Sequence, residues 1–308
     1  VDTIFVYSWA LSALAGNANI VRISGRAAAA ADTVLAALND TLAEADPVVA
    51  GSQRMITYGR DDAVTAALSH WCDLRVIWGG DAAVDEIRRH PLRAAARDLT
   101  FPDRSSWAAL SVAGWRAADS AARRAAVTGF ANDAYWFDQA ACASPRTVFL
   151  VGPPAAAEQV RAEFLAALGE AVADRGWQVD AAMAVQKQVS AYGLAAAGTV
   201  RTVTFAGNAV TGMVLAEPVT LPRTWLGAGA FPFATVPTLA DIVPLITRRD
   251  QTFTHFGFPA GELAEFAAAL GGRGVDRIVP FGAALTFDAV WDGYDLTREF
   301  TRLTTLRT

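Results

Sequence analysis

The chain reads as an α/β protein of two lobes, each built on a mainly parallel sheet. Three observations carry that reading. Short apolar runs alternate with longer helical stretches through the first third, which implies crossover units. The same alternation resumes beyond a loop of small residues near the middle. With 308 residues, 53% hydrophobic and 19% charged, the chain can bury a large core or two.

In order, residues 3–6 are predicted as a strand, 9–15 as a short helix, 19–23 as a strand and 27–44 as a helix. Strands at 55–58, 74–78 and 98–101 then alternate with helices at 61–71 and 82–89. The alanine-rich stretch 106–130 reads as one long helix leading to a small-residue loop. Beyond it, 147–151 is a strand, 155–175 and 181–197 are helices, and 200–205 pairs with 212–216 as a hairpin. A helix at 240–247, a strand at 252–256, a helix at 261–270 and a strand at 277–280 complete the second lobe. The expected division is 1–130, 131–285 and a tail at 286–308, with the boundary near 127–138.

A net charge of −5 and a pI near 5.3 argue against nucleic-acid binding, which needs clustered Lys and Arg. Arginine is abundant, yet Lys187 is the only lysine, a pattern of GC-rich codon usage. Lys187 is the sole Schiff-base candidate, but its Gln-flanked helical setting reads as a solvated position. Cys72 and Cys142 lie far apart with no CxxC, so a disulfide framework is not expected and a reducing cytoplasm fits. His70, His90 and His255 lack metal-ligand spacing, and no metal is expected. No apolar run approaches the roughly 18 residues of a membrane span. The opening Val1-Asp2-Thr3 is neither a signal peptide nor an initiator, and reads as the middle of a strand-to-helix unit; a preceding segment is expected to be missing.

The strongest chemical candidate is Cys142, in Phe137-Asp138-Gln139-Ala140-Ala141-Cys142-Ala143-Ser144-Pro145-Arg146. Small neighbours let a substrate carbonyl approach the sulfur, with backbone N–H groups for a developing oxyanion. A lone cysteine is otherwise a buried, inert residue, and Cys72 reads that way. Trp78-Gly79-Gly80-Asp81 lies between a strand and a helix, where glycines allow a pyrophosphate to approach; a plain turn is an equal reading. Val21-Arg22-Ile23-Ser24-Gly25-Arg26 ends a strand with two arginines and a serine, which suit a ribose 2′-phosphate, or a solvated strand end. Gly227-Ala228-Gly229 reads as a loop, and His255 as a satisfied histidine in an aromatic strand. Asp292 and Asp295 read as turn caps. No GxSxG occurs, and no glutamate lies between Glu86 and Glu158. An enzyme that hydrolyses a thioester intermediate needs a base for water, and none precedes Cys142 as a glutamate.

Three stretches resemble the LuxC family of acyl-CoA reductases, in the aldehyde dehydrogenase superfamily. They are Ala13 to Ser24, the Cys142 loop from Phe137 to Pro145, and Gly274-Val275-Asp276-Arg277-Ile278-Val279-Pro280-Phe281-Gly282 with Phe287 and Trp291-Asp292-Gly293-Tyr294-Asp295-Leu296. The third is the most specific, and together they run over nearly the whole chain. The resemblance implies an aldehyde dehydrogenase-like fold, with an NADP-binding Rossmann-like domain at 1–130 and a catalytic domain at 131–285. It implies Cys142 as nucleophile, Arg22 and Ser24 at the adenosine ribose, Gly79 and Gly80 at the pyrophosphate, and Thr100 and Phe101 beside the nicotinamide. Gly25 stands where the superfamily has a ribose-binding glutamate, which favours NADPH over NADH. Thr100 stands where the hydrolytic relatives keep their base. Ala228-Gly229-Ala230-Phe231-Pro232 departs from the usual Glu-x-Phe-Gly-Pro ribose contact, and the oxyanion asparagine would lie before Val1.

The activity so implied is NADPH-dependent reduction of an acyl-CoA, or another acyl thioester such as a carrier-protein one, to the aldehyde through an acyl-cysteine. A homo-oligomer and a partner that supplies activated acyl groups are also expected. The rivals are an NAD(P)-dependent aldehyde dehydrogenase and a non-catalytic scaffold subunit of a reductase complex.

Overall fold

The computed structural model describes residues 4–25 and 28–308. Its elements, in chain order, begin with α1 (Phe5–Leu14), β1 (Asn19–Arg22), α2 (Ala28–Glu44), α3 (Pro47–Ser52), β2 (Gln53–Ile56), α4 (Asp62–Trp71), β3 (Leu74–Trp78), α5 (Asp81–Arg88) and β4 (Arg97–Phe101). Next come β5 (Ser105–Ser111), α6 (Val112–Ala117), α7 (Ser120–Tyr135), β6 (Pro145–Val151), α8 (Pro154–Asp174), α9 (Ala181–Ala196), β7 (Val200–Ala206), β8 (Val210–Leu215) and β9 (Ala230–Val236). A 3₁₀ helix (Leu239–Leu245), β10 (Asp250–Phe256), α10 (Ala260–Leu270), β11 (Arg277–Pro280), β12 (Val290–Trp291), β13 (Tyr294–Asp295) and α11 (Leu296–Glu299) complete the chain. Helix starts follow local chemistry: side chains of Asp61, Ser111, Asp119 and Asp180 accept the first free N–H groups, and proline opens α3 and α8.

The chain divides into two compact units, Val1–Asp103 with Phe287–Thr308, and Arg104–Thr286. The sequence placed a boundary at 130/131, inside α7; that helix lies wholly in the second unit. The segment read as a separate tail belongs to the first unit. Phe287 stacks on Tyr7 at 4.1 Å, Tyr294 meets Phe101 edge-on, and Asn17 donates to Phe300 O at 2.8 Å.

In the first unit β1 pairs in parallel with β2, and β3 with β4. Residues 4–6, expected in a strand, instead form a turn and the start of α1. In the second unit seven strands follow the order β11-β10-β5-β6-β9-β8-β7, parallel except for the β7–β8 hairpin. Helices cover both faces. Leu110, Val148, Leu150, Phe231 and Phe233 point toward α7 and α8; Trp107, Phe149, Met213, Ala234 and Phe253 point the other way, into the core containing α10 and the 3₁₀ helix.

Two strands escape the sequence reading. Residues 105–111 form a fully buried central strand, followed by two helices, not one long helix. β9 was not predicted at all. Strands covered on both faces lose the polar alternation that marks a strand, and Ala108-Ala109-Leu110 is as good a helix sequence. Among the described residues no helix is long and apolar enough to cross a membrane.

Phe164 of α8 is fully buried and meets Trp115, Phe130, Phe233 and Phe281. Phe164→Ala is expected to cost about 3–5 kcal/mol of stability, read by denaturant unfolding.

Candidate active site

The Cys142 loop leaves α7 through two left-handed residues, Asp138 (φ 49) and Gln139 (φ 58). Such backbone costs about 1–3 kcal/mol per residue and persists only where its surroundings hold it. Here the Gln139 N–H donates to Ala134 O at 2.7 Å, and the Trp225 indole donates to Asp138 O at 2.9 Å. The buried Gln139 side chain donates to Pro145 O at 2.9 Å and Ala230 O at 3.1 Å, and accepts the Ala230 N–H at 3.2 Å. Beyond the cysteine, the Ser144 hydroxyl donates to Asp133 O at 2.8 Å. The Cys142 carbonyl accepts the Ser106 hydroxyl at 2.7 Å, and Ser106 Oγ accepts the Thr252 N–H at 3.1 Å.

The loop is thus held on both sides of Cys142. Ala141, Ala143 and Ser144 are buried, whereas the Cys142 side chain is half-buried. Beside the loop lies a small cleft of about 40 Å³, lined by Trp107, Gln139, Arg146, Leu221, Trp225 and Pro232 among others, with Cys142 outside its lining.

Asp133, missed in the sequence, supports the same loop from α7. It is fully buried and accepts N–H groups from Gly282 (2.7 Å) and Ala284 (3.0 Å). Burial pushes its pKa up to about 6 despite those bonds. Arg277 holds the same stretch by donating to the carbonyls of Ala283, Ala284 and Thr286. Gly129 allows the close approach, since a Cβ there would stand 2.7 Å from Phe281 O. The Val279-Pro280-Phe281-Gly282 motif therefore packs on the helix that leads to Cys142. The available signal was one carboxylate within the apolar run Phe130 to Tyr135.

The predicted cofactor residues all belong to the first unit. Arg22 is exposed at the carboxyl end of β1, lies over the Tyr58 ring at 4.7 Å and donates to Tyr58 O at 3.2 Å. Ser24 and Gly25 are exposed beside it, with nothing near the position of a Gly25 Cβ. This corner fits a phosphate ester. Gly79 and Gly80 do form the turn between β3 and α5, but the Asp103 carboxylate lies 3.0 Å from a Cβ at Gly80 and accepts the Asp81 N–H at 3.4 Å. Asp81 in turn accepts the Asp103 N–H at 3.1 Å. As it stands, this turn does not fit a pyrophosphate: a carboxylate already occupies the helix start, and like charge repels. Thr100 is half-buried. Phe101 is 3% exposed and stacks on Trp78 at 3.8 Å, so its ring belongs to the core and not to a nicotinamide pocket.

Cys72 is structural: its thiol donates to Ser69 O at 3.4 Å, and burial raises its pKa. His255 lies one residue before the end of β10, level with Ala109 and Phe149, whereas Cys142 precedes the opposite end of β6, so the two do not meet. Burial lowers the His255 pKa. Asp295 caps α11 as expected, and Asp292 with Gly293 forms a hairpin turn at positive φ. Lys187 overturns its reading as a solvated residue: it is 2% exposed and donates to Asn208 O and Ala209 O. Burial lowers its pKa to about 8.

Two α/β units, one presenting a cysteine on a small-residue loop, define an aldehyde dehydrogenase-like fold. An NAD-dependent benzaldehyde dehydrogenase from Corynebacterium glutamicum superposes with a TM-score of 0.64 at 14% identity, over 97% of this chain and 64% of that one. The Δ-pyrroline-5-carboxylate dehydrogenase from Mycobacterium tuberculosis gives 0.61 at 15% identity, over 88% and 52%. A bifunctional proline utilization A protein gives 0.62 at 14%, over 90% and 28%. The chain thus spans between about a quarter and two thirds of these proteins. No protein of curated function matches it in sequence. The family model for acyl-CoA reductase (LuxC) matches residues 1–213, and the chain belongs to that family.

Because the folded-state pKa of Asp133 lies above its ordinary value of 3.8, its contribution to stability is complete below about pH 4 and is lost as pH rises through about 6. Asp133→Asn is expected to remove that dependence, measured as the slope of unfolding free energy between pH 4 and 6.

Proposed function

We propose that this chain carries the cysteine and the nucleotide-phosphate corner of an enzyme that reduces an acyl thioester to the aldehyde, with NADPH as reductant. The observation that supports it most is the half-buried Cys142 held between buried alanines on a backbone anchored from both sides. Fixing a nucleophile at one place converts much of its search entropy into rate. The Cys142 thiolate attacks the thioester carbonyl. A bond from Sγ to the acyl carbon forms, the bond to the donor sulfur breaks, and the donor leaves as a thiolate that takes up a proton. CoA and a carrier-protein thiol serve equally as that donor.

A reduced nicotinamide nucleotide, when bound, supplies the hydride for conversion of the acyl-cysteine to aldehyde. Arg22 and Ser24 receive its 2′-phosphate, and Gly25 keeps a carboxylate away from it. This chain's remaining task is to keep water from the thioester. The position that the family resemblance gives to a hydrolytic base is Thr100, which has no carboxylate. Oxidation of an aldehyde to the acid is the nearer rival, and NADP-dependent acid formation without CoA would favour it.

Cys142→Ala is expected to abolish the acyl adduct seen by intact mass after mixing with acyl-CoA, while NADPH binding stays within about twofold. An adduct that survives the substitution would overturn the assignment. Arg22→Ala is expected to weaken NADPH about tenfold or more, consistent with loss of a charge-assisted hydrogen bond, and to leave NADH nearly unchanged in a fluorescence titration.

A further inference from the structure

Lys187 points from α9 toward the end of the sheet where β6, β8 and β9 begin, the end that carries the cysteine loop. Its ammonium donates to Asn208 O at 2.7 Å and Ala209 O at 3.0 Å, the turn that joins β7 to β8. Its stem lies against Gly227, which has φ +102 and no room for a Cβ. Gly229, at φ +72, packs on the Ala209 carbonyl and the Tyr135 hydroxyl with equally little room. The Tyr135 hydroxyl, at the end of α7, donates to the same Ala209 carbonyl at 3.1 Å. Gly229 O accepts the Thr211 N–H at 2.7 Å. The next residue is Ala230, where the Gln139 side chain closes its paired hydrogen bonds.

The side chain therefore gathers α9, the 208–209 turn, the end of α7 and the 227–230 segment around one buried cation. Among the described residues no charged side chain faces it. Its surroundings are two carbonyls, the Tyr135 phenol and two glycines, and burial alone accounts for its lowered pKa. Burial also raises the Tyr135 pKa, so the phenol stays a donor. A buried cation without a counter-ion is costly, and an apolar side chain of similar volume is often the more stable choice. Its presence here points to a role beyond stability.

We propose that Lys187 is a positioning residue for Cys142: it locks the 208–209 turn and the 227–229 segment, and through Ala230 and Gln139 it sets the loop that carries the thiol. The proposal deepens the reading above, and rests on it only for what the thiol does in turnover.

The test is alkylation of the two cysteines by iodoacetamide in the full chain and in Lys187→Met, followed by peptide mass with Cys72 as internal control. The expected result is a change of at least about tenfold in the Cys142 rate, with Cys72 within about twofold, in a variant whose circular dichroism is unchanged. A loss of melting temperature alone, with the Cys142 rate within twofold, overturns the proposal. Should Lys187→Met fail to fold, the wild type decides. Isotope-labelled lysine gives one side-chain signal, expected to titrate near pH 8. Under the proposal the Gln139 side-chain amide signal moves with that titration; if it stays still, the proposal falls. Neither measurement uses an acyl donor or a nucleotide. A chain inactive as a reductase but positive here would lose the functional reading and keep the positioning role.

Discussion

One buried amide completes a sheet where its own ladder has not yet begun. β6 and β9 are paired from Val148 and Phe233 onward. Three residues earlier, Pro145 and Ala230 are already buried side by side, and their backbone groups need partners. The Gln139 side chain supplies them, offering a donor to both carbonyls and an acceptor to the Ala230 N–H. To reach that place the chain leaves α7 through two left-handed residues, Asp138 and Gln139. The position of Cys142 thus follows from satisfying backbone groups at a strand entrance, not from any contact the thiol makes.

Two buried ionisable side chains of opposite kind gather backbone groups from neighbouring turns. Asp133 gathers the N–H groups of the 282–284 turn, and Lys187 gathers the carbonyls of the 208–209 turn. Each cancels the excess of one kind of backbone group at a place where neither helix nor sheet can. In the first unit the opposite economy holds: Arg22 lies exposed at a strand end, and the carboxylates of Asp81 and Asp103 answer each other's N–H groups across a turn.

How much of this was legible in the sequence depended on which physical signal each segment carried. Residues 74–78 and 277–280 were read with their observed bounds, because short β-rich runs between turn residues are unambiguous. The hairpin of β7 and β8 was legible for the same reason. Residues 105–111 were not, since a strand buried on both faces shows no alternation and alanine favours a helix. β9 was hidden by Pro232 and by the glycines before it. Cys142 stood out because its neighbours are small. Gln139 lay in the same motif, but a side chain that serves distant backbone carries no mark in its local sequence. Lys187 was misread on composition: Gln neighbours suggested solvent, while its partners lie some twenty residues away in the 208–209 turn and beyond. The packing of Phe101 could not be inferred without Trp78 and Tyr294 in view.

The first unit is discontinuous, assembled from 1–103 and 287–308 with the whole second unit intervening in the chain. During synthesis the aromatic contacts of Tyr7 and Phe101 must therefore wait for Phe287 and Tyr294, which follow the whole second unit in the chain. Arg104–Thr286 holds its own sheet and both of its cores and has no such wait. The order of folding is then the reverse of the order of the chain's beginning. The unit that starts first finishes second, and a nascent chain stalled before residue 287 would present a finished cysteine unit and an unfinished first unit.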